Sequence, residues 1–167
     1  MQYAKLKTKL LAVREQREQR RLHIHSHLQQ PLVQISLNIP GPNKMPPGAE
    51  KLFSWGLRQV LDLLPSVESC SHGHDLLGPW TLLGTDRNAE LIKQQTVELE
   101  NETPAGRLID IDIYDHNGRQ LGRRELGFPP RRCLVCGEPA VDCIRQQRHS
   151  EKELKARINA LLKPFRS

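Results

Sequence analysis

Asp110 and Asp112 stand two residues apart in the run Ile109-Asp110-Ile111-Asp112-Ile113-Tyr114. In an extended strand, side chains at i and i+2 share a face about 7 Å apart, so both carboxylates point one way and the isoleucines the other. Aspartate is disfavoured in strands, and two on one strand argue for chemistry over a merely solubilising acidic face. Two convergent carboxylates suit a hard divalent ion: Mg2+ takes one or two, keeps waters, and leaves positions for substrate phosphates. Such an ion neutralises charge that develops in phosphoryl or nucleotidyl transfer.

A second constellation, Cys133-x2-Cys136-x6-Cys143-x5-His149, has the ligand types and order of a Cys3His zinc site. The competing reading makes Cys133 and Cys143 small buried apolar residues near a hairpin. Cys70 has no evident partner. His23, His25 and His27 alternate, and His72 and His74 flank Gly73; without nearby cysteines both groups read as surface-loop residues.

The elements that must position these groups can be read along the chain. Good helix formers over Ala4–Leu22, with Arg14, Arg17, Arg20 and Arg21, predict a helix with a basic outer face. Leu32, Val33, Ile35, Leu37 and Ile39 predict a strand that ends at Pro40-Gly41-Pro42. Pro46 and Pro47 stand at a helix start, and Ala49, Leu52, Phe53, Leu57, Val60, Leu61 and Leu64 form an apolar stripe. Two short strands, near Val67–Cys70 and Pro79–Leu83, flank a His/Gly/Asp-rich connection. Asp86 is placed to cap a helix running to about Glu100. The Asp110/Asp112 strand then precedes an Asn117-Gly118 turn. Ser150 and Glu153 form a capping box before a final helix carrying Leu154, Ile158, Leu161, Leu162 and Phe165. The order β-α-β-β-α-β after an N-terminal helix predicts an α+β sandwich, its helices on one sheet face and its active site on the other.

The 167 residues are expected to form a single domain, 1–167, with a modest core: 37% are hydrophobic and 4% aromatic. The longest aliphatic run, Leu10 to Val13, excludes a membrane span or signal core within this sequence. Four cysteines without such a signal argue for reduced thiols or a metal, and for a cytoplasmic protein. The net charge of +6 is uneven: residues 1–24 hold seven Lys/Arg against two Glu, residues 25–118 six against twelve Asp/Glu, and residues 119–167 twelve against five. Two basic flanks around an acidic middle suit a polyanionic ligand or an acidic partner. The low aromatic content argues against a nucleic-acid surface built on base stacking.

The segment Gly106-Arg107-Leu108-Ile109-Asp110-Ile111-Asp112-Ile113, followed by Pro129-Pro130-Arg131-Arg132-Cys133-Leu134-Val135-Cys136, Cys143 and His149, resembles the CitX family. Arg14-Glu15-Gln16-Arg17, Pro31-Leu32-Val33 and Asn38-Ile39-Pro40-Gly41-Pro42-Asn43-Lys44 match it in the same order, so the likeness covers nearly the whole chain. Ala105, where the family tends to have Leu, and Arg21, where Gln is expected, depart from the pattern. The resemblance implies an apo-citrate lyase phosphoribosyl-dephospho-CoA transferase, or holo-acyl-carrier-protein synthase. Such an enzyme moves the prosthetic group of 2'-(5''-triphosphoribosyl)-3'-dephospho-CoA onto a serine of the citrate lyase acyl carrier subunit, with diphosphate released. The aspartate strand is also similar to the metal-binding strand of pterin pyrophosphokinases, which implies a ferredoxin-like sandwich, here with an N-terminal helix and a C-terminal cysteine-containing segment plus helix. In this reading Asp110 and Asp112 hold Mg2+ on the triphosphate, Arg107 serves catalysis beside them, and Arg14, Arg17, Lys44, Arg131 and Arg132 grip phosphates. The resemblance assigns no metal to the cysteines. Two rival functions are a zinc-stabilised basic nucleic-acid module, which two clustered carboxylates would hinder, and pyrophosphoryl transfer to a small alcohol.

Overall fold

Alternation of apolar and polar residues is what lets β4 (Ile109–Tyr114) bury Ile109, Ile111 and Ile113 while leaving Asp110 and Asp112 on the other face. In the computed structural model, which describes residues 2–166, with side chains from residue 5 on, it follows α1 (Gln2–Leu28), β1 (Leu32–Leu37), α2 (Ala49–Leu63), β2 (Glu68–Asp75), β3 (Gly78–Gly84) and α3 (Ala89–Glu102), and precedes α4 (Ala140–Arg145) and α5 (Glu151–Leu162). The strands form one four-stranded antiparallel sheet in the order β2-β3-β1-β4. Its isoleucine face packs on α2, α3 and α5 through Val33, Ile35, Leu52, Ile92, Ile111 and Leu162. Gly56 sits where α2 approaches β4 so closely that a Cβ would lie 2.6 Å from Ile109 Cδ1. No described helix is long and apolar enough to cross a membrane.

The other sheet face is crossed by α1, which the composition of that helix did not announce. Only Ile24 and Leu28 reach the small apolar cluster of Leu32, Trp80, Leu82 and Tyr114. The rest of the docking is polar. Arg17, 8% exposed, makes a bidentate pair with Asp75, at 2.8 Å from Nε and 2.7 Å from Nη2, and also donates to the Gly78 carbonyl. Arg21, 4% exposed, is paired with Glu18 and lies over the Tyr114 ring, 4.0 Å from its centroid. The expected basic outer face is therefore corrected: two of its arginines point inward, because a planar guanidinium can satisfy a carboxylate and stack on a ring at once.

Other boundaries also moved. The helix does not stop at Leu22 but takes in His23, His25 and His27, so these are helical residues rather than loop residues. The His/Gly/Asp-rich connection is itself strand, with a register shift at Cys70 and a tight turn at Leu76-Leu77. Asn88, not Asp86, caps α3, its side chain accepting from the Leu91 N–H at 2.9 Å. The Ser150–Glu153 capping box is present, although α5 ends at Leu162 and Phe165 belongs to a following 3-10 turn.

Candidate active site

The register of β1 against β4 sets Ser36 opposite Asp110 and Gln34 opposite Asp112. Directly opposed side chains on one face lie about 5 Å apart, so four polar groups form a compact patch in the middle of the sheet. The patch floors a cleft of about 230 Å³, walled on the α1 side by Arg14, Arg17 and Glu18. A 27-residue helix packed across a sheet thus brings cations from one end of the sequence to carboxylates more than 90 residues away.

Each aspartate keeps one oxygen in reserve. Asp110 Oδ1 accepts from Arg131 Nη2 at 2.7 Å, and Asp112 Oδ1 accepts from Gln120 Nε2 at 2.7 Å. Among the described residues no hydrogen bond reaches either Oδ2. Burial, reinforced by the charge of Asp110, pushes the Asp112 carboxyl up to about 6 against the pull of Lys93, Arg131 and Gln120. Two converging carboxylates, one destabilised by the other and each with a free oxygen, fit a divalent cation that retains water and phosphate ligands.

Behind the strand lies a buried ionic layer. Glu100, 2% exposed, accepts from the Ile111 N–H at 3.1 Å, from Arg131 Nη2 at 2.5 Å and from Arg123 Nη2. Lys93, 5% exposed, donates to the Ile111 carbonyl at 3.0 Å, and burial holds its ammonium below the usual lysine range. The peptide groups of the residue between the two aspartates are thereby clamped from α3. Gly106 allows the chain to enter this strand: a Cβ there would lie 2.6 Å from the Glu100 carbonyl oxygen.

The predicted residues separate into groups. Asp110, Asp112, Arg14 and Arg17 line the cleft, and Arg131 touches Asp110 directly. Lys44 donates to the Ile39 carbonyl at 2.8 Å, its ammonium lowered by burial and by the nearby charge of Arg14. Arg107 turns away, donating from Nε and Nη2 to the Arg132 carbonyl, and its Nη1 is buried without a described partner. Arg132 is exposed and reaches only the Gly137 carbonyl, at 3.4 Å. The four ligand atoms of Cys133, Cys136, Cys143 and His149 lie within 4.8 Å of one another. Ala105, one of the departures noted above, is a buried core residue. Glu100, Lys93, Arg123, Gln120, Gln34 and Ser36 escaped the sequence reading. Lys93 and Glu100 are seven residues apart, two helical turns on one face, and that spacing was the available signal.

A family model described as CitX, apo-citrate lyase phosphoribosyl-dephospho-CoA transferase, matches residues 6–165. The protein named CitXG from Leuconostoc mesenteroides subsp. cremoris is 35% identical over 138 residues, 80% of this chain and 30% of that longer protein. The apo-citrate lyase phosphoribosyl-dephospho-CoA transferase of Citrobacter koseri is 34% identical over 158 residues, 92% of this chain and 86% of the relative. A probable apo-citrate lyase phosphoribosyl-dephospho-CoA transferase of Streptococcus pyogenes is 32% identical over 162 residues, 93% of this chain and 84% of the relative.

Proposed function

The chain belongs to the CitX family of apo-citrate lyase phosphoribosyl-dephospho-CoA transferases, and from that premise we propose that it transfers phosphoribosyl-dephospho-CoA from 2'-(5''-triphosphoribosyl)-3'-dephospho-CoA to a serine of the apo-citrate lyase acyl carrier subunit. The observation that carries the residue assignment is the placement of Asp110 and Asp112 beside each other in a cleft walled by Arg14 and Arg17. The comparisons lend no support to a nucleic-acid module or to a pyrophosphoryl transferase.

The carrier serine attacks the phosphorus next to the ribose. A new Oγ–P bond forms, the bond to the diphosphate breaks, and the serine proton leaves with the diphosphate product. Such in-line displacement needs alignment and charge neutralisation more than a protein nucleophile. Asp110 and Asp112 would hold Mg2+, which would supply charge neutralisation on the triphosphate. Arg14, exposed at the wall, grips phosphate from the α1 side, with Lys44 adding positive charge near it. Arg17 and Arg131 are already ion-paired, so they orient the walls and Asp110 respectively. Ser36 and Gln34 offer neutral donors on the floor of the cleft. The order β2-β3-β1-β4 with helices α2 and α3 on one face supports a ferredoxin-like core, and cysteines held reduced, as thiols or metal ligands, fit a cytoplasmic location.

Intact-protein mass spectrometry of the apo-carrier, after incubation with this protein, Mg2+ and the triphosphoribosyl precursor, tests the proposal. A gain equal to precursor minus diphosphate is expected. An unmodified carrier, or a gain of a diphosphate group alone, overturns it.

A further inference from the structure

We propose that Cys133, Cys136, Cys143 and His149 bind one tetrahedral zinc ion, and that this ion anchors the segment that delivers Arg131 to Glu100 and Asp110. The four side chains come from three separate pieces of chain: a tight loop, helix α4, and the residue before the Ser150 cap of α5. Their ligand atoms converge within 4.8 Å, with Cys136 Sγ 3.4 Å from Cys143 Sγ and 3.3 Å from His149 Nε2. Ligands about 2.0–2.3 Å from a tetrahedral zinc are separated from one another by roughly 3.3–3.8 Å, which is the spacing of these pairs. Three thiols and an imidazole favour zinc over Mg2+ or Ca2+, which take oxygen ligands.

The loop is shaped for thiolates. The N–H of Val135 points to Cys133 Sγ at 3.4 Å, and the N–H groups of Cys136 and Glu138 are directed at Cys133 and Cys136 sulfurs. Gly137, at φ +78°, makes the left-handed turn that closes the loop, and Cys133 N–H bonds the Glu138 carbonyl at 2.6 Å. A buried apolar cysteine needs none of this, and Cys136 is exposed.

The segment has little apolar core of its own, and apart from Leu134, which packs against the main core, it is held to the rest of the chain by polar contacts. From residue 122 to residue 150 the only buried apolar side chain among the described residues is Cys143. Small units with so little core depend on metal or disulfide cross-links. Arg131 is two residues before Cys133, and its carbonyl accepts from Ala140 N–H at 2.9 Å across the base of the loop. On the far side, Arg157 Nε donates to the Leu134 carbonyl at 3.0 Å, tying the loop to α5. A cross-link at Cys133, Cys136, Cys143 and His149 therefore sets where the Arg131 backbone lies.

Elemental analysis of the full chain, purified without added metal, should give one zinc per chain, released by a mercurial thiol reagent. Exchange with Co2+ should produce thiolate-to-cobalt charge transfer and the intense visible bands of tetrahedral cobalt. The Cys133→Ser/Cys136→Ser variant should lose the zinc, whereas Cys70→Ser should keep it. If the double variant is insoluble, the wild-type zinc count and cobalt spectrum still decide. On zinc removal, amide hydrogen exchange at Cys133 and Ala140 should accelerate by more than about ten-fold as the loop opens. Iron in place of zinc, a Cys136–Cys143 disulfide, or four freely titrating thiols with no metal would each overturn the site. Zinc without any change in exchange on its removal would overturn the anchoring of Arg131.

Discussion

Arg131 Nη2 lies 2.7 Å from Asp110 Oδ1, joining two residues that are 21 positions apart. The same nitrogen donates to the buried Glu100, so it connects the cleft to the ionic layer behind β4. Arg132, the next residue, faces solvent. Arg131→Ala is therefore expected to lower kcat/KM for the precursor by roughly ten-fold to a thousand-fold, while Arg132→Ala changes it by less than about three-fold. Titrating precursor and carrier separately checks this. Equal losses in both variants would mean that the pair acts as a diffuse basic surface.

Asp112→Asn and Asp110→Asn should each remove most transfer activity and leave a folded chain, since the strand needs only its isoleucine face for the core. In the metal-free protein, Asp112→Asn should also be the more stable form at neutral pH. The folded chain holds the Asp112 proton up to about 6, against the ordinary 3.8. Between these values it binds more protons than the unfolded chain, so wild-type stability falls as pH rises through that window. The gain in the variant at pH 7 is on the order of 1–2 kcal/mol after allowance for solvent screening, or a few degrees in Tm, and vanishes near pH 4. Melting curves at the two pH values, with a chelator present, would refute this if the variant were no more stable at either.

The same carboxyl gives a titration that needs no turnover. Following the Asp112 carboxyl by 13C NMR in the metal-free protein should give a midpoint near 6. In Asp110→Asn the repelling charge is gone, and the midpoint should move down towards the ordinary aspartate value. Added Mg2+ should lower it in wild type, because cation binding favours the ionised form. An unmoved midpoint in both experiments would mean that the two carboxylates do not share a site.

Glu100 carries the largest expected structural penalty. Glu100→Ala leaves Arg123 and Arg131 without their common carboxylate and the Ile111 N–H without its acceptor. Breaking a buried ion pair in this way costs roughly 3–5 kcal/mol, or around 10 °C in Tm. Glu100→Gln retains an acceptor and should recover part of the melting temperature but little of kcat, because Arg131 is no longer held by charge. A fall of less than about 3 °C in the alanine variant would show that this ionic layer contributes little.

The strand that bears the aspartates was legible to the residue, because period-two alternation of Ile and Asp specifies both conformation and facing. The apolar stripe of α2 was nearly as plain, although Leu61, expected on it, is exposed. What stayed hidden was the docking of α1 and the support behind β4. Both rest on long charged side chains turned inward, Arg17, Arg21, Lys93 and Glu100, and hydropathy reads such residues as surface. Arg107 is close to Asp110 in sequence, but the 3-10 turn over Pro104–Leu108 directs its side chain toward the Arg132 carbonyl, a turn-level orientation that sequence proximity does not encode.

β4 is terminal in the sheet, yet much of the hydrogen-bonding ladder on its outer margin is already occupied. Ile109 N–H bonds Gly106, both peptide groups of Ile111 are taken by Glu100 and Lys93, and the Ile113 carbonyl accepts from Leu121. A foreign strand cannot be zipped onto that margin without first evicting a carboxylate and an ammonium. Growth of the sheet by strand addition is thereby confined to β2, at the opposite margin, where polar residues and the irregularity at Cys70 blunt pairing.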